Sequence, residues 1–237
     1  MRSDLFHIRA AWGPRQEAVE EHAHRLSRML NDVSDVHREF TQLMVDPDWG
    51  RGRATALLPR RAVDIVPFFS PVRRYDEDSK RFVLGSYHLN ASARLVAPRL
   101  LVMSIIAGKI GEDARYPAIG NQVSIALKIM EGGNDEDAQA LAAIKPILLA
   151  LVSAWKPEHA SAVSDRYGQP ARKDFVHGTW AAYFAAGSTK ISLTSLGVAR
   201  RLADGGLLWC ATDEAFDLDN PVHLGAAAAM HAAMPCD

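Results

Sequence analysis

The chain has 237 residues, 48% hydrophobic and 23% charged, with 27 Lys+Arg against 28 Asp+Glu. This is the composition of an ordinary folded protein and excludes intrinsic disorder; at roughly 150 residues per domain the length fits one large domain or two small, closely packed ones. A net charge of −1 provides no global field for a polyanion, which argues against generic nucleic-acid binding, although not against a local patch.

Residues 5–12 alternate loosely with period two and stop at Gly13-Pro14, a strand leading into a helix. Pro14 suits a first helical turn, where its missing N–H costs nothing. From there to about Val36, Val19, Ala23, Leu26, Leu30 and Val33 fall on one helical face, with Glu17, Glu20, Glu21, Arg25, Arg28 and Asp32 elsewhere. Residues 40–81 hold short apolar runs punctuated by Pro47, Pro59, Pro67 and Pro71, and read as loops with short edge strands. After the charged stretch 73–81, three strands are expected at 82–90, 99–107 and 121–130, in an antiparallel meander. In the third, Val123, Ile125, Leu127 and Ile129 alternate with polar or small residues, so the sheet is expected to be covered on one side.

Asn134 and the acidic turn Asp135, Glu136, Asp137 supply an N-cap and a dipole-complementing start for a helix running to about Trp155, with a kink or restart expected at Pro146. A strand at 159–165, a polar loop at 167–170 and an aromatic run at 175–186 follow. Beyond them come a short helix at 192–203, a strand at 207–212 and an Ala-rich helix capped by Asp219-Asn220-Pro221 and ending near Met234. The fold class is therefore α+β, mainly antiparallel sheet covered by amphipathic helices. It spans 1–237 as a single domain or as two packed halves, about 1–131 and 132–237.

Cys210 and Cys236 imply no disulfide framework, and residues 1–11 lack the uninterrupted apolar run and cleavage site of a signal peptide. The longest apolar stretches, 100–108 and 147–155, are about half of the roughly 20 residues a spanning helix needs. The expectation is a cytoplasmic protein without a membrane segment.

Nine histidines raise the prospect of a metal site. His22 and His24 point about 200° apart on a helix and cannot share an ion; His22 leans to the apolar stripe and His24 to solvent. His223 and His231 share a face of the last helix without an acidic or thiol companion, and read as structural. Cys210 reads as a small buried hydrophobe. No nucleophile elbow, phosphate loop, dinucleotide fingerprint or His-Glu-x-x-His occurs. Carboxylates cluster at Asp76-Glu77-Asp78, at Glu131 with Asp135, Glu136 and Asp137, and at Asp213-Glu214 with Asp217 and Asp219. In the last group Asp213, Asp217 and Asp219 offer oxygen ligands suited to magnesium or calcium, the basis of an alternative reading as a metal-dependent hydrolase. The simpler reading is a solvated loop with a helix cap, or a recognition face for a basic partner.

Several segments, in order along the chain, resemble the immunity protein 52 family. They are Trp12-Gly13-Pro14-Arg15-Gln16-Glu17 with the helix after it, Trp155-Lys156-Pro157-Glu158, Gly178-Thr179-Trp180, the run from Gly206 to Asp217 that contains Leu208-Trp209-Cys210, and Asn220-Pro221-Val222-His223. The resemblance implies an α+β immunity protein, not an enzyme, needing no cofactor or metal. Its partner would be a cognate toxin encoded by a neighbouring gene, with no direct contact to nucleic acid or membrane. Toxins paired with the family resemble restriction-endonuclease-type DNases delivered by type VI secretion or contact-dependent systems. Most of Trp12, Trp180, Trp209 and Phe216 read as core residues rather than contacts. Steric occlusion aided by a local acidic patch is the expected mechanism. The candidates are Asp213, Glu214, Asp217 and Asp219, or the turn Asp135, Glu136, Asp137, because a near-neutral chain must place its charge locally.

Overall fold

The computed structural model describes residues 3–15, 17–45, 56–76, 80–94, 100–108, 121–130, 135–167, 178–187, 197–217 and 220–233. The first strand, β1 (Ser3–Trp12), buries Phe6, Ile8, Ala10 and Trp12 and turns Arg9 to solvent, the period-two pattern of a sheet with one packed face. Helix α1 (Val19–Ser34) buries His22, Ala23, Leu26, Met29, Leu30 and Val33. It begins only at Val19, not at Pro14. The Ala18 N–H donates to the Glu21 carboxylate (3.1 Å), half of a capping box, and this fixes the start.

Next come β2 (Met44–Val45), β3 (Ala56–Leu57), the one-turn helix α2 (Ala62–Ile65) and β4 (Ser70–Asp76). The apolar run 63–69 is thus helical turns rather than an edge strand, and the charged stretch after it holds a strand that local pattern does not announce. A meander follows as expected: β5 (Arg81–Arg94), β6 (Leu100–Ala107) and β7 (Asn121–Met130).

Helix α3 (Asp135–Trp155) runs through Pro146 without a restart. Ala142, whose carbonyl loses its bond to the proline, is exposed, so water can satisfy that oxygen. Joining the two sides of Lys145-Pro146 makes Ala138–Trp155 long and apolar enough to cross a membrane by length and composition. The expectation that the apolar stretches are too short is corrected on this point. In this fold the helix lies on β1, on β7 and on the next strand, with Ile144, Ile147, Leu148, Leu151 and Trp155 fully buried.

The chain continues through β8 (His159–Tyr167), β9 (Gly178–Phe184), β10 (Val198–Arg201), β11 (Leu207–Cys210) and α4 (Pro221–Ala233). The helix expected over 192–203 is corrected where residues are described, since 198–201 form β10, paired antiparallel with β11 from Val198↔Cys210 to Arg201↔Leu207. At α4, Asn220 Oδ1 accepts the Val222 N–H (2.9 Å) and Pro221 opens the first turn, as expected.

Among the described residues, the eleven strands form one sheet, in the order β10-β11-β9-β8-β1-β7-β6-β5-β2-β3, with β4 also on β5, and every pairing is antiparallel. The α+β class is as expected. Trp12 stacks on Trp155 (5.2 Å), which places α3 on the face of Phe6 and Ile8, with α1 packed against α3. Helix α4 covers the opposite face at β9. His231 meets Thr179 Oγ1 (3.2 Å), and Thr179 pairs with Val163, which faces His7. The sheet is therefore covered on one side along β1, and on both sides at β9, where Thr179 and Trp180 to Phe184 are all buried.

Candidate functional site

The C-terminal acidic group lies on the loop from β11 to α4, where Asp213, Glu214 and Asp217 are exposed. This loop is fastened from beneath by a residue of α3. Lys145 Nζ donates to the carbonyl oxygens of Thr212 (2.5 Å) and Glu214 (2.7 Å) and stands 5.1 Å from the Phe216 ring centre. Phe216 is buried against Trp180, 5.2 Å between rings. The Glu214 N–H donates to Thr212 Oγ1 (3.2 Å) and the Asp217 N–H to His223 Nδ1 (3.3 Å). The loop backbone is pinned while its carboxylates face water.

Basic groups lie beside these acids. Arg200 Nη2 stands 3.6 Å from Asp213 Oδ1, both side chains well exposed, and Arg201 is exposed on the same strand. Partial burial lowers the Lys145 pKa from its ordinary value, opposed by Cys210, Asp213 and Glu214, while Arg200 adds to the lowering. Burial raises the Cys210 thiol above its ordinary value, an unreactive setting for this free cysteine. The patch is thus of mixed sign, with Arg200 and the partly buried Lys145 beside its carboxylates. No local pattern announces these cations; the one signal is Lys145, the only charged residue from Ala138 to Trp155.

Asp219 lies outside the described residues. Asp135, Glu136 and Asp137 form the first turn of α3, as expected, but their side chains and Asn134 fall outside the described set. Among the described residues, no group of three His, Cys, Asp or Glu side chains is placed to hold a metal ion.

The segments that carry the family resemblance meet inside the fold. The Gly13 N–H donates to Glu158 Oε1 (3.1 Å), which ties the turn after β1 to the segment that follows α3. Arg15 donates to the carbonyls of Trp155 (3.0 Å) and Lys156 (2.5 Å), and Arg25 to that of Ala154 (3.2 Å); the two cap the end of α3. Trp180 Nε1 donates to Ser164 Oγ (2.7 Å). Trp12, Trp180, Trp209 and Phe216 are all buried. His22 is buried and His24 exposed, as their helical positions require.

No family model matches this chain, and no curated protein is significantly similar to it.

Proposed function

We propose that this protein is an immunity protein, one that binds a cognate toxin and neutralises it by occlusion rather than by catalysis. The proposed partner is a DNase-type effector encoded beside it and delivered by a type VI system. The observation that carries the reading is the loop 212–217, whose exposed carboxylates are held on a backbone pinned by Lys145 and Phe216. A pre-ordered loop loses little conformational entropy on binding, and its charge steers a basic cleft into register. With a net charge of −1, mimicry of DNA over the whole surface is not part of the mechanism. The buried motif residues act in this reading as the scaffold that presents the loop.

Cytosolic residence follows from the proposal, since the toxin acts where the genome is. The test uses the neighbouring toxin, the wild-type chain and the Asp213→Asn, Glu214→Gln and Asp217→Asn variants, with affinity measured from low to high salt. Weaker binding and a flatter salt slope in the variants are expected. Unchanged affinity at low salt removes the acidic loop from the interface. The hydrolase alternative requires turnover that stops on metal removal and on a single Asp to Asn change at 213, 217 or 219. The binding reading requires a complex that persists in chelator.

A further inference from the structure

Among the described residues, five buried side-chain atoms without a hydrogen bond belong to one cluster: Trp12 Nε1, Glu17 Oε2, both ring nitrogens of His22, and Trp155 Nε1. Buried polar atoms are nearly always paired, so this concentration calls for an explanation. His22 has no solvent exposure and ends a stack of four groups. Arg15 lies 5.8 Å over Trp12, Trp12 stacks on Trp155 at 5.2 Å, and Trp155 stacks on His22 at 6.3 Å. Tyr87 meets the imidazole edge-on at 6.0 Å, and Phe69 lies tilted against it at 6.1 Å. Gly108 closes the remaining side: a Cβ there would stand 3.1 Å from His22 Nε2 and from the Tyr87 ring, and its φ is +78°.

Glu17 connects this ring to the seam between α1 and α3. Its Oε1 accepts from Arg25 Nη2 (2.5 Å), its Oε2 stands 3.6 Å from His22 Nδ1, and Arg25 Nη1 holds the Ala154 carbonyl (3.2 Å) at the end of α3. A proton on His22 would place a full charge in an aromatic box whose nearest counter-ion is Glu17. To reach it Glu17 must close that gap, which draws it from Arg25.

We propose that His22 is a proton-operated latch on the α1–α3 seam. Neutral, it completes the stack and leaves Glu17 to Arg25; protonated, it pulls Glu17 across and loosens the grip of Arg25 on α3. The groups that act on it are Glu17, Glu21 and Arg25 from α1 and its lead-in, and Tyr87 from β5; Trp155, Phe69 and Gly108 present no charge. Burial is the largest influence and lowers the His22 pKa from 6.5, Glu17 and Glu21 opposing and Arg25 assisting. The folded value therefore lies below the unfolded one. The stability contributed by neutral His22 is complete above 6.5 and is lost as pH falls from there through the folded value.

Stability against pH is measured for the wild type and His22→Phe, which keeps a ring and removes the proton site. The wild-type folding constant should fall relative to the variant by up to tenfold per pH unit below 6.5, whereas parallel curves overturn the proposal. If His22→Phe does not fold, hydrogen exchange of the wild type at pH 7.5 and 5 decides. Protection lost at 19–34 and 147–156 ahead of β6 and β7 supports the latch, and uniform loss overturns it.

Discussion

Lys145 is the residue on which the candidate site turns. Its ammonium holds two carbonyls of the acidic loop and covers Phe216, so replacing it with Met keeps the packing and removes the donors. Lys145→Met should lose about 2 kcal/mol of stability, the scale of charge-assisted hydrogen bonds to backbone left unpaired, read as a lower urea midpoint at unchanged slope. It should also weaken toxin binding although Lys145 is not itself an exposed carboxylate. This role was not legible in the sequence, because the partners lie 67 and 69 residues away and no local pattern encodes that distance. The core roles of Trp12, Trp180, Trp209 and Phe216, and the opposite fates of His22 and His24, were legible, since aromatic size and helical angle decide them locally.

At the scale of elements, periodicity located β1, α1 and β7, apolar runs between turns located β5 and β6, and a capping sequence with an acidic first turn announced α3. Local pattern failed at β4 and β10. Neither strand carries a strong pattern of its own, and each exists because β5 or β11 offers an edge to pair with. Gly197 makes the β10 case testable. Its φ is +89°, and a Cβ would stand 2.6 Å from the Cys210 carbonyl oxygen and 2.9 Å from Trp209 Nε1. Gly197→Ala should destabilise the protein by roughly 2–3 kcal/mol, visible as a lower melting temperature, through left-handed strain and the clash together. Pro146→Ala should do the reverse. The helix already passes through this position, so restoring the N–H should raise stability by roughly 1–3 kcal/mol in the same assay.

For the whole molecule, the order of strands puts β1 between β7 and β8, so the first segment of the chain joins the two arms of the sheet. Arginines from α1 and its lead-in cap the end of α3, and Lys145 of α3 holds the loop beyond β11. Partly buried cations thus help to position the proposed contact surface. Near-balance of charge, 27 basic against 28 acidic residues, fits a contact that relies on shape with a small mixed-sign patch, and predicts only a modest salt dependence. The α+β class was readable from alternating and helical periods. The compensation of Asp213 by Arg200 was not, because that contact forms only once β10 pairs with β11. The most direct test titrates the neighbouring toxin with this protein while DNA cleavage is followed. The proposed function predicts that cleavage falls linearly to zero at a fixed molar ratio, with a complex of the same ratio surviving chelator. Undiminished cleavage at excess protein, or protection by far less than one equivalent through turnover, would contradict it.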